Sequence, residues 1–355
     1  TGVNNTFVGS AAGLGASGNS HSNNTGIGKS ALGAITTGAN NVAVGSLAGD
    51  ATTTGQDNSA LGMNALSGNT TGSYNVAIGK NSLEASTTAS NNTAVGRESL
   101  ASTTTGGNNV AVGYNSLLVN TTGASNVAVG SGALDANTTA SNNTAVGYSS
   151  LGANTTGTRN AALGYQSGVA TTTATDNTYL GYAVGEALTT GGSNTLVGSK
   201  AGQSLTTGNS NVAIGVEALD ADTLGDRNIA IGNSALGAQN FTSSTDAYNV
   251  AIGHSAGAAV TTGVQNTLIG GLAGDAITTG YGNEALGYSA LSANTAGRNA
   301  VAIGSFALAN QNPDSALSTY NTAVGYNAGG AVTTGTQNTF VGGLAGDANT
   351  TASGN

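Results

Sequence analysis

An aliphatic residue followed by glycine recurs along this chain. The glycine stands at 9 and 28, at every seventeenth position from 45 to 232, and at 253, 270, 287, 304, 325 and 342. Twenty repeats result, spaced by seventeen residues apart from one gap of nineteen and two of twenty-one. A clean unit, Asn109 to Ser125, reads NVAVGYNSLLVNTTGAS. The residue before each glycine is Val, Ile or Leu, and three before it Thr and Val dominate, as in Val42, Thr93, Val110 and Thr322. Positions two apart lie on one face of a strand. The pattern therefore predicts one short strand per repeat, with the aliphatic column buried and the intervening residue, usually Ala, facing the other way. Repetition at a fixed short period predicts a solenoid, here a parallel β-solenoid or β-roll of about twenty turns spanning residues 1–355.

Size is exchanged between two columns. The residue two before the glycine is large only at Phe7, Tyr179, Leu196, Leu268 and Phe340, and in those turns the residue four after the glycine is Gly13, Gly185, Gly202, Gly274 and Gly346. Most turns with Ala at the first position have Leu at the second, as in Ala111 with Leu117. Gly168, Gly257 and Gly329 fit if they make room for the large residue one turn later, and Gly49, in the turn of Ala43, is an exception. Close packing demands such compensation, because overfilling and cavities each cost about 1–5 kcal/mol. The exchange suggests that both strand faces are buried. A seventeen-residue coil has little interior, so one face is expected to meet other chains.

Asn lies four before the glycine in every turn but one, where Ala300 replaces it and Asn299 is displaced by one. Asn75, Asn92, Asn109, Asn126 and Asn143 are expected to form a structural ladder, each amide bonding the next turn. Thr121-Thr122-Gly123 is expected to be a corner with the glycine at positive φ. Acidic residues five after the glycine (Asp50, Glu84, Asp135, Glu186, Asp220, Asp275, Asp347) never fall in adjacent turns, which avoids stacking like charges. The two long gaps carry insertions, 239–248 and 310–320, expected to be surface loops and places for specific contacts. The segments after them, from Tyr248 and Tyr320, share most of their residues, which points to duplication of a four-turn block. Pro313, the only proline, lies in the second insertion, where no ladder bond is lost.

Composition narrows the class. With 58 Gly, one Pro, no Cys and 6% charged residues, the chain can fill a thin repeated core but not a large globular one. A net charge of −9 with seven Lys and Arg argues against nucleic acid, since phosphate binding needs clustered cations. No apolar run is long enough to span a membrane. Both ends of the sequence lie within the repeat, so it reads as an uncapped segment of a longer fibre protein.

Chemistry-bearing residues are sparse. His21 and His254 are some thirteen turns apart and cannot form one site. Gly28-Lys29-Ser30 ends like a P-loop, but Asn23 stands where its first glycine belongs. Asp220, Asp222 and Asp226 lack the glycine and distal glutamate of a Ca²⁺ loop. No catalytic, cofactor or metal residues are assigned. Tyr148, Tyr165 and Tyr182, just after the glycine in consecutive turns, would form an aromatic strip, as a stacking feature or a glycan contact.

NVAIGKNS at Asn75 to Ser82 and NVAIGVEALDA at Asn211 to Ala221 resemble the NSVAIG-type repeats of the YadA-like head domains of trimeric autotransporter adhesins. The array from Asn321 to Gly330 is similar to those of bacteriophage tail fibres and bacterial surface fibres. The likeness covers essentially the whole chain, which departs from the shorter repeat by its Thr-Thr-Gly corner. It implies a left-handed roll, packed or intertwined as a homotrimer with the small-residue face toward the threefold axis. The implied role is an extracellular, cell-surface or virion fibre, shaft or head, that presents an adhesive tip; the resemblance names no receptor. A cell-surface glycan or other receptor is an expected partner, and the sparse chemistry-bearing residues lead to the expectation of no enzymatic activity. Three other readings stay open: a self-assembling single-chain filament, a polysaccharide-binding or depolymerising fibre, and an ice-binding solenoid using Thr52–Thr54, Thr103–Thr105 and Thr171–Thr173.

Overall fold

The computed structural model describes residues 2–15, 18–313 and 315–355. Regular structure among them is entirely β, in two compact units, Thr1–Thr175 and Asp176–Asn355. In the first unit, ten three-residue strands from β1 (Thr6–Val8) to β10 (Ala161–Leu163) stack in parallel. In the second, β11 (Thr178–Leu180) to β22 (Thr339–Val341) do the same, except that β14 (Gly225–Asp226) and β16 (Thr245–Asp246) form a separate parallel pair. Equivalent residues pair from turn to turn, as Val110 with Val127, Ala111 with Ala128 and Val112 with Val129. Each unit is thus a parallel β-solenoid, with one strand per turn.

Backbone bonding continues around the coil beyond the strands. The Leu117 N–H donates to Ala133 O at 3.0 Å and the Thr121 N–H to Thr138 O at 2.8 Å. The Thr121 hydroxyl donates to the same carbonyl at 3.0 Å and the Thr138 hydroxyl likewise to Thr155 O at 3.2 Å, so the first threonine of these corners reinforces the stack. Between these walls the chain turns through left-handed residues. Gly113 at φ 139° occupies a region that side chains rarely enter, and Asn115 and Leu117 follow at φ 55° and 50°. Continuous cross-turn bonding compensates for the strain of a left-handed leucine in each such turn.

The interior differs from the expected one in which column it holds. Ala111, Ala128, Leu117 and Leu134 are wholly buried: the alanine column and the leucine column face each other across a single coil. The aliphatic column, expected inside, points outward, with Ile27, Leu61, Ile78, Leu163 and Leu286 all between 39% and 50% exposed. The size exchange therefore reports the two walls of one interior rather than burial of both strand faces. In the single chain the small residues line the coil's own core and the large aliphatic face is left open.

The exchange itself holds in atomic detail. A Cβ added at Gly13 would lie 2.4 Å from the Phe7 ring, and one at Gly202 would lie 3.0 Å from Leu196. Gly257 and Gly329 make room for Leu268 and Phe340 of the following turn, at 2.7 and 2.8 Å. The corner glycine serves a different purpose from the one expected. Gly123 is not at positive φ; its Cβ would meet Ala140 O at 2.3 Å, so close approach between turns is what requires glycine. The left-handed corner residue is instead Ser125, at φ 58°.

Candidate functional site: a cleft under the first insertion

The asparagine ladder sets the frame on which any site is carried. Asn75, Asn92, Asn109, Asn126 and Asn143 are wholly buried. The backbone N–H of each donates to the Oδ1 of the asparagine one turn earlier, at 2.9–3.0 Å. Each Nδ2 donates to the carbonyl of the residue fourteen further on, for example Asn92 to Gly106 O at 3.0 Å and Asn109 to Gly123 O at 2.9 Å. Donor and acceptor of every amide are both used inside the coil, which leaves none to offer a ligand.

Both insertions keep this ladder through a buried glutamine. Gln239 Oε1 accepts from Asn249 Nδ2 at 2.8 Å, and Gln311 Oε1 accepts from Asn321 Nδ2 at 2.7 Å. The insertions are not simply surface loops: Gln239, Phe241 and Ala247 are buried in the first, and Gln311, Pro313 and Thr319 in the second. Their exposed residues include Thr242 to Ser244, Asp246 and Tyr248 in the first and Asn312, Ser315 to Leu317 and Tyr320 in the second. Asp314 lies outside the described residues.

The first insertion builds a cleft. Pairing of Gly225–Asp226 with Thr245–Asp246 brings two carboxylates to one edge of the coil. Asp226 Oδ1 accepts from the Asn209 backbone N–H at 2.6 Å and from Asn209 Nδ2 at 3.2 Å, while its Oδ2 accepts from Ser244 Oγ at 2.7 Å. Arg227 forms an ion pair with Asp246, and both side chains are about half exposed. The guanidinium also lies 5.7 Å from the centroid of the exposed Tyr248 ring. Asn209, Ser210, Asp226, Arg227 and Asp246 line a cleft of about 210 Å³.

Asp222 lies apart from that cleft, in the coil interior. Its Oδ2 accepts from Gln239 Nε2 at 2.7 Å and its Oδ1 from the Gly225 N–H at 3.1 Å. Burial raises its pKa, opposed by the Gln239 bond and the backbone donors. Asp220, from the same sequence cluster, is half-buried. Among the described residues, no three His, Cys, Asp or Glu side chains gather in a way that could hold a metal ion.

Of the tyrosine strip, Tyr148 and Tyr165 stack with ring centroids 5.4 Å apart and planes within 14°. Both are about half exposed, and so is Tyr182, which belongs to the second unit. Thr52, Thr103 and Thr171 are buried, so the three threonine triplets turn their first residue into the coil. They do not form the flat exposed array that binding to ice requires.

Sequence reasoning missed the cleft because its residues are dispersed over three turns and meet only when the insertion folds back. It also missed a buried column seven after the glycine, occupied by Asn120, Asn137 and Asn154 in one unit and by Asp222, Gln239 and Asn294 in the other. The available signal was the residue just before the Thr-Thr corner, polar in these turns and aliphatic in others, as at Ile35, Leu188, Leu205, Val260 and Ile277. Comparison with known proteins returns no match: no family model, no curated protein and no solved structure matches the chain.

Proposed function

We propose that this chain is the shaft or head of an extracellular or virion-borne fibre, and that it self-associates as a homotrimer through its outward aliphatic strand face. The role is non-catalytic. The observation that carries the reading is that face: Val, Ile or Leu stands before every anchor glycine, half-exposed in many turns, next to a column of mainly Val and Thr whose one charged member is Glu284. An apolar stripe of this extent marks an interaction surface. Its uniformity from turn to turn favours a partner with the same repeat, namely another copy of the chain. The likeness of NVAIGKNS to YadA-like head repeats supports the same class, and with it a left-handed coil.

Several competing readings lose support on particular residues. A lone-chain filament would leave the aliphatic face in water. An ice-binding surface is disfavoured by the inward Thr52, Thr103 and Thr171. A depolymerase needs paired carboxylates free to act on a glycosidic bond, whereas Asp226 accepts three hydrogen bonds and Asp246 is paired with Arg227. An electron-microscopic cross-section of the assembled fibre tests the proposal. Three coils with their aliphatic columns turned to a common axis are expected; a single coil, or three joined through the tyrosine column, would overturn it.

A further inference from the structure

We propose that the cleft lined by Asn209, Ser210, Asp226, Arg227 and Asp246 binds a neutral pyranose ring, such as a terminal sugar of a glycan. At about 210 Å³ it is smaller than the pockets of roughly 300 Å³ and more that take drug-sized ligands, so it admits one small unit. Every lining side chain carries hydrogen-bonding groups, which matches a polyhydroxylated ligand better than an apolar one.

Charge selects within that class. Two carboxylates face one guanidinium, and Arg227 is already paired with Asp246, so an anionic sugar meets net repulsion. A metal ion would have to displace the donors held by Asp226. Hydroxyl groups need no such displacement: Asp226 Oδ1 already accepts two bonds, but Asp226 Oδ2 and the Asp246 carboxylate keep lone pairs that can accept a sugar O–H. The Tyr248 ring, exposed beside Arg227, offers an apolar face at the rim for the C–H side of a pyranose.

The second insertion acts as an internal comparison. It keeps the frame, with Gln311 for Gln239 and Tyr320 for Tyr248, and its backbone also pairs with the preceding turn, Arg298 with Ser318. The lining is replaced: Tyr281, Gly282, Arg298, Asn299 and Ser318 stand where Asn209, Ser210, Asp226, Arg227 and Asp246 stand in the first. There Arg298 packs over Tyr281, 4.6 Å from the ring centroid. An insertion of this design thus folds without the cleft residues, and their placement is chemistry added to a common scaffold.

Saturation-transfer-difference NMR on the full chain tests the site, with the methyl pyranosides of glucose, galactose and mannose, N-acetylglucosamine, and N-acetylneuraminic acid as probes. Transfer is expected to at least one neutral sugar and not to N-acetylneuraminic acid. The double variant Arg227→Asn/Asp246→Ser, which copies the second insertion, and the milder Asp246→Asn should each weaken binding roughly tenfold or more. Their melting temperatures, read by circular dichroism, should stay near that of the parent. No transfer to any neutral sugar, equal transfer to the anionic one, or undiminished transfer in both variants would each overturn the proposal. Binding of this kind belongs to a single chain, so it stands or falls separately from self-association.

Discussion

Tyr179 fills the space that a side chain at Gly185 would need: a Cβ there would lie 2.7 Å from Tyr179 Cε1. The two residues come from opposite walls of one coil, and in ten of the twenty turns the same space is shared by an alanine and a leucine. Ala111→Phe should therefore destabilise the chain by about 1–3 kcal/mol through overpacking against Leu117. Leu117→Gly alone should cost about 2–5 kcal/mol through the cavity it leaves. The double variant should recover most of both losses. Urea unfolding of the three variants reads the coupling, and simple additivity would show that the two columns do not share a space.

The asparagine ladder is expected to be costly to interrupt. Asn92→Ala removes the acceptor of the Asn109 N–H and the Nδ2 donor to Gly106 O. Leaving buried groups of this kind unpaired costs about 1–3 kcal/mol each. Tyr114→Ser, which copies Ser131 one turn later on the exposed column, should change stability by less than about 0.5 kcal/mol. Denaturant midpoints for the two variants should differ accordingly; equal midpoints would show that the ladder adds nothing to stability.

Mild acid should strengthen rather than weaken the fold. Burial raises the carboxyl pKa of Asp222, and also those of the partly buried Asp50, Asp135, Asp220 and Asp275. A carboxyl whose folded pKa lies above its unfolded value of about 3.9 binds its proton more tightly when folded. The penalty of these groups is fully present above their folded pKa and is relieved as pH falls through it toward about 4. The melting temperature should thus hold or rise between neutral pH and pH of about 4–5. Asp222→Asn should be neutral or stabilising at neutral pH by about 1 kcal/mol, because Asn294 holds the equivalent position and accepts from the Gly297 N–H at 2.8 Å. It should also flatten the pH profile. A melting temperature that falls steadily over this range would contradict the assignment.

Much of the architecture was legible because one coil constrains the next. The seventeen-residue spacing, the buried Asn92 and the exchange between Phe7 and Gly13 all follow from stacking identical turns. The sense of the strand faces was not legible. Alternation places Val110 and Val112 opposite Ala111, but it does not say which side the chain closes over. Only the opposite wall, carrying Leu117 at left-handed φ, decides that the alanine faces inward. The corner glycine was misread for a related reason, since composition cannot distinguish a glycine required by φ from one required by the approach of Ala140 O to Gly123. The cleft depends on contacts made by an irregular segment, for which the repeat offers no template.

The most direct test of the central claim is the mass of the chain in solution by sedimentation equilibrium, for the parent and for the variant Leu61→Asp/Ile78→Asp. Both side chains point outward, so the variant should fold as the parent does. The parent is expected at about three times 33.8 kDa and the variant at 33.8 kDa. A parent that sediments at 33.8 kDa, or a variant that keeps the parent's mass, would contradict association through the aliphatic face.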